Sequence, residues 1–132
     1  MGTVFDQCEH GTVRIAMSNG ESWEVRAWHR NDIAAHKRLD MPEWWTITHL
    51  PSGIGFANLG LFSESEKAVG ALLEIARLRN SWRHVDYDEI IGMKETFVSI
   101  FKKHGARDDV YSCTPADQKY YRTDMNETGS AA

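Results

Sequence analysis

The chain is predicted to fold as an α+β domain: an antiparallel sheet of two β-hairpins, about four strands in all, followed by two amphipathic helices packed on one face. Three observations predict it. Between Thr12 and Leu61 apolar residues alternate with period two and are broken by glycine turns. From Ser63 to Gly105 the apolar period becomes helical, with capping signals at both ends of the run. The order matters too, because consecutive strands joined by tight turns pair antiparallel and leave a sheet face for the helices that follow.

The first hairpin is "TVRIAMSNGESWEVRAW". A two-residue Asn19-Gly20 turn would set Ile15 opposite Glu24 and mix the faces. A three-residue loop Ser18-Asn19-Gly20, with Gly20 left-handed in a bulge, pairs Ile15 with Trp23 and Val13 with Val25. It also pairs Arg14 with Glu24 across the strands. The inner face is then Val13, Ile15, Met17, Trp23, Val25 and Ala27. The outer face carries Arg14, Glu24, Arg26 and Trp28.

Residues 31–43, "NDIAAHKRLDMPE", are polar and read as a connector with some helical character, stopped by Pro42. The second hairpin is "PEWWTITHLPSGIGFANLGLF". Its turn is Pro51-Ser52-Gly53, which pairs Leu50 with Ile54, Thr48 with Phe56 and Thr46 with Asn58. On the other face His49 meets Gly55, Ile47 meets Ala57 and Trp45 meets Leu59. Adjacent strand residues point to opposite faces, so Trp45 is a core anchor and Trp44 faces away from the core.

The first helix opens at Ser63, with Glu66 completing a capping box, and carries Ala68, Ala71, Leu72, Ile75, Leu78 and Trp82 as its apolar stripe. The second opens at Asp86 with Glu89 as box partner and Val85 and Ile90 as the staple. Its stripe is Ile90, Met93, Phe97, Ile100 and Phe101, and Gly105 ends it after Lys102 and Lys103. Residues 1–112 form one domain. Residues 113–132 are a polar tail, at least partly mobile.

Bulk properties exclude several functions. The 132 residues fit one domain with a modest core. No apolar run is long enough to span a membrane, and the acidic N-terminal stretch does not resemble a signal peptide, so a cytoplasmic protein is expected. Net charge is −4, with no basic block anywhere, which argues against binding nucleic acid mainly through phosphates. Cys8 and Cys113 sit near opposite ends and read as free thiols; neither has the paired spacing of a zinc site. No metal, cofactor or catalytic motif is predicted. The glycines at 53, 55 and 60 lie in a hairpin rather than opening a helix, so they are not a dinucleotide fingerprint. Asp86, Asp88 and Glu89 are explained by helix capping.

The functional expectation is therefore a small non-enzymatic binding protein acting through protein–protein contact. Compact motif-free chains of this type are common among phage or mobile-element accessory proteins, including inhibitors of host defence such as anti-CRISPRs. The candidate surface is the outer sheet face: Arg14, Arg26, Trp28, Trp44, Thr46, Thr48 and Phe56, since Trp and Arg are enriched at interface hot spots. The competing expectation for that face is nucleobase stacking, making the partner a nucleic acid or nucleotide. A second copy of the chain is a further candidate partner. An enzyme centred on His49 is the third reading.

Overall fold

The protein is described by a computed structural model at residues 3–16, 20–38 and 41–109, and as backbone at 123–124. A short 3-10 turn, Val4–Gln7, leads into five strands: β1 (Glu9–Ala16), β2 (Ser22–Arg30), β3 (Ile33–Lys37), β4 (Trp45–His49) and β5 (Ile54–Gly55). Each pairs antiparallel with the next. The two-residue β6 (Thr123–Asp124) lies parallel to β5 at the edge. Three helices follow the antiparallel sheet: α1 (Ser65–Ala76), α2 (Tyr87–Gly92) and α3 (Lys94–Lys103). The α+β arrangement is as expected, with one antiparallel strand more.

The first hairpin has the predicted register. Ile15 stands opposite Trp23, Val13 opposite Val25 and Arg14 opposite Glu24. Gly20 is left-handed, at φ +87°, and Arg14 reaches Glu24 at 3.0 Å. Met17, Ser18 and Asn19 lie outside the described residues, as does the expected tail apart from the backbone of β6.

The extra strand is β3, within the stretch expected to be a connector. Asn31 and Asp32 take φ +53° and +67°, which turns the chain tightly enough to pair Arg30 with Ile33. Two successive left-handed residues make the favoured hairpin turn, and Asn and Asp tolerate that conformation best among non-glycine residues. Asn31 also donates to the carbonyls of Ala76 and Arg79, each at 3.1 Å, and so ties the turn to the end of α1. The sequence of β3 is poor in strand formers. Burial on both faces decides the matter: Ile33, Ala34, Ala35 and His36 are all 0% exposed.

The second hairpin is shifted by one residue from the expected register. Its loop is Leu50 to Gly53, with Gly53 at φ +75°, so His49 pairs with Ile54 and Thr48 with Gly55. After β5 the chain forms a 3-10 turn, Ala57–Leu59, and Trp45 is bridged to Phe62 instead of Leu59. A one-residue slip moves every side chain to the other face. Ile54 and Phe56 thus join Ile47 on the helix side.

These two corrections redraw the faces. Following the pairs from strand to strand, one face holds Trp28, Ile33, Ala35, Trp45, Ile47, His49, Ile54 and Phe56. The helices cover that face, and its apolar residues form one core with Phe62, Leu72, Ile75, Trp82, Phe97 and Phe101. The opposite face holds Ile15, Ala27, Ala34, His36, Thr46 and Thr48, all buried. Ile15 and Ile47, expected on one face, are on opposite ones. Trp23, expected inside, is 41% exposed at the far end of β2.

The helices differ at their ends. α1 begins after Glu64, with no side-chain cap, so the Ser63 box does not form. It stops at Ala76, which leaves Leu78 outside the stripe and 41% exposed. Asp86 does cap α2, accepting from the Glu89 N–H at 2.9 Å. The expected single second helix is broken after Gly92, where Met93 leaves helical geometry (ψ 8°). After proline, glycine is the residue least able to hold a helix through that point. Gly105 ends α3 at φ +81°, as expected.

Two glycines permit close approaches. A Cβ on Gly70 would lie 2.7 Å from Nδ1 of His104, so its absence lets the end of α3 rest on α1. There the His104 ring bonds Glu74, which Lys103 also reaches at 3.1 Å. Gly60 has φ +142°, and a Cβ there would lie 2.8 Å from the Cβ of Ala106. Gly60→Ala is expected to cost roughly 1–3 kcal/mol through backbone strain and overlap, and to loosen the Leu61–Arg107 bridge. Urea denaturation checks this; an unchanged midpoint would contradict it.

Candidate functional site

The seven residues expected to share one open face do not share one. Thr46 and Thr48 are 0% exposed on the face away from the helices. Phe56 is 0% exposed on the helix side, its ring 5.1 Å from that of Phe97. Trp44 is half-buried just before β4, its N–H bonded to the Met41 carbonyl. Trp28 is half-buried between Phe5, at 4.6 Å, and His10, stacked at 4.1 Å. Arg14 is taken up by Glu24 and Ser22. Arg26 alone among them is exposed and enters no ion pair of the described residues.

Arg26 belongs to a row that crosses four strands. Thr12 is opposite Arg26. Ala27 is opposite His36, which sets Arg26 beside Lys37 on the adjacent strand. Lys37 is opposite Trp45. The row lies on the helix-side face, beyond the part the helices bury. Its cations are held by aromatics: the Lys37 ammonium lies 5.9 Å above the Trp45 ring, and the Arg26 guanidinium is 3.4 Å from Nδ1 of His10, whose ring stacks on Trp28. Such contacts fix a cation without neutralising it.

These residues open onto a cleft of about 480 Å³ at the end of β3. Arg26, Lys37, Arg38 and His10 line it together with Val25, Pro42 and Trp45, and no carboxylate does so among the described residues. Elsewhere most described cations meet an acceptor, Arg30 at the Gln7 carbonyl and Arg77 at the Gln7 side-chain oxygen. Lys67 pairs with Glu64, Arg79 with Glu89, Arg83 with Asp32, Lys103 with Glu74 and Arg107 with Asp109. Arg26 and Lys37 enter no ion pair of the described residues. The cleft is therefore a local positive field with apolar walls on a chain whose net charge is −4.

His10, Lys37 and Trp45 were not among the expected site residues. Trp45 was assigned to the core and Lys37 to the connector. Reading β3 as a strand is the signal that would have joined Arg26 to Lys37.

The two buried histidines are both fully engaged. The His49 Nε2–H donates to the Trp82 carbonyl at 2.6 Å, so Nδ1 accepts from the Ser52 hydroxyl at 2.7 Å. Burial holds its pKa down, against that carbonyl bond and Asp32. This leaves neither nitrogen facing a substrate. The His36 Nδ1–H donates to the Lys37 carbonyl at 2.8 Å, and Nε2 accepts from Thr48 at 2.9 Å. Burial pushes its pKa down to about 4. The neighbouring Thr46 hydroxyl is buried with no hydrogen-bond partner among the described residues.

A second cleft, about 350 Å³, is lined by Cys8, His29 and Arg30 among others. The Cys8 thiol is pushed up by burial, with Arg30 and Arg77 opposing, and so favours the unreactive protonated form. Cys113 lies outside the described residues. No group of three metal-ligating side chains occurs among the described residues, and no described helix is long and apolar enough to cross a membrane. No protein-family model, curated protein or solved structure matches the chain.

Proposed function

We propose that this protein is a non-enzymatic binding protein whose contact surface is the cationic cleft, and that its partner is an acidic surface of another protein. The observation that carries this reading is the Arg26–Lys37 pair, adjacent, exposed and uncompensated beside Trp45. Uncompensated charge is kept at a cost, since the two neighbouring cations repel each other and no ion pair of the described residues offsets them. An acidic partner removes that cost and gains the half-buried aromatic as an anchor. A protein partner fits better than a nucleic acid. The patch offers few phosphate contacts, and the remaining negative charge repels a long polyanion. A small accessory or inhibitor protein of the phage type would act in this way, by covering a working surface of something larger.

Affinity capture from the source cell tests the reading, with the natural chain and an Arg26→Glu/Lys37→Glu variant compared at rising salt. The expected result is a specific protein partner whose capture weakens with salt and falls by at least about tenfold in the variant. Undiminished capture by the variant would remove the cleft from the interface. Salt-sensitive binding of an oligonucleotide, with no protein captured, would replace the protein partner by a nucleic acid.

A further inference from the structure

We infer that the group this cleft receives is a phosphomonoester dianion, carried on a phosphorylated side chain of the partner protein; this rests on the reading above. The argument is a count of charges and oxygens. A carboxylate has one charge and two oxygens, and a single arginine fork satisfies it. Arg26 could do that alone, leaving Lys37 idle across the row. A phosphomonoester carries roughly −1.5 to −2 charge and three acceptor oxygens at neutral pH. It can engage the Arg26 fork and the Lys37 ammonium together, with the His10 ring beside Arg26 as a third polar neighbour.

The cations are also placed before any ligand arrives. Lys37 rests on Trp45, and Arg26 is next to a His10 ring stacked on Trp28. Less side-chain freedom is then lost on binding. The apolar walls of Val25, Pro42 and Trp45 keep water away from one side and strengthen each charge contact. The volume, about 480 Å³, is enough for a small group or side chain entering an open cleft.

The test is a titration of the full chain followed by NMR of the tryptophan indoles. Five probes are used: a phosphotyrosyl peptide, the same peptide with Glu in its place, the unphosphorylated peptide, adenosine monophosphate, and inorganic phosphate. An Arg26→Gln/Lys37→Gln variant, whose thermal melting should match that of the natural chain because both sites are exposed, serves as control. The inference expects the phosphopeptide to shift the Trp45 signal and to bind at least about tenfold more tightly than the Glu peptide, with the effect lost in the variant. Weak binding of inorganic phosphate at the same signal supports it further. Equal or tighter binding of the Glu peptide overturns the phosphoryl inference and leaves the acidic-partner reading standing. Tighter binding of adenosine monophosphate than of the phosphopeptide overturns the protein source. No Trp45 shift with any probe overturns the inference altogether, while the capture experiment still judges the interface.

Discussion

Phe56→Ala is expected to cost about 3–5 kcal/mol of folding stability, the range for removing a fully buried aromatic side chain. Phe56 is 0% exposed and stacks on Phe97 at 5.1 Å, and both belong to the core that joins the sheet to the helices. Alanine would remove the ring and leave a cavity beside Phe97 that the close-packed core cannot fill without moving. For a domain of this size the loss should lower Tm by ten degrees or more, on the order of several degrees per kcal/mol. Trp44→Ala, at a half-buried loop position, is expected to cost much less. Thermal or urea denaturation of the two variants checks both statements. A Phe56→Ala protein as stable as the natural one would mean that Phe56 is not in the core.

The second large effect is a loss of stability on mild acidification. The unfolded chain takes up a proton at His36 near the ordinary value of 6.5, whereas the folded chain does so only at about 4, because burial disfavours the charged ring. As pH falls through this window the unfolded state binds more protons than the folded one, so stability falls with pH. The loss begins near pH 6.5 and is complete near pH 4. A separation of about 2.5 units amounts to about 3 kcal/mol from His36 alone. His49 acts in the same direction, since burial lowers its pKa as well. Glu74 enters at lower pH. The bonded His104 ring, aided by Lys103, holds its carboxyl below the ordinary value of 4.5, so its support is lost only as pH falls beneath that value. Urea denaturation across the acid range checks this: the slope of stability against pH should approach one to two protons between about pH 6 and pH 5. A flat profile there would show that both rings can protonate in place.

The opening hairpin shows how much a local signal can carry. Val13, Ile15, Trp23 and Val25 alternate, Gly20 supplies the left-handed residue, and Arg14 finds Glu24 across the strands; these features suffice for the register. The Asp86 cap and the Gly105 stop were equally legible, because a cap is a contact between residues three apart. The apolar stripe Ile90, Phe97, Ile100 and Phe101 was also recovered, since helical spacing places those side chains together whatever else they touch. All of these depend on neighbours in sequence.

The site was legible only in fragments. Arg26 was singled out, but its companions were not, since their meeting depends on β3. That strand has weak local preference and forms because the sheet on either side and α1 bury it. Likewise the second hairpin was expected to turn at Pro51-Ser52-Gly53, and the longer loop found instead places Ile54 and Phe56 on the helix side. From its own residues the chain determined its α+β class, its first register, the stripe of Ile90, Phe97, Ile100 and Phe101, the Asp86 cap and the Gly105 stop. Only the tertiary structure decided which sheet faces match, and with them which cations share a cleft. The physical reason is that strand pairing has a period of two: each added strand or one-residue slip reassigns whole faces, and the burial that selects among the alternatives comes from residues far away in the sequence.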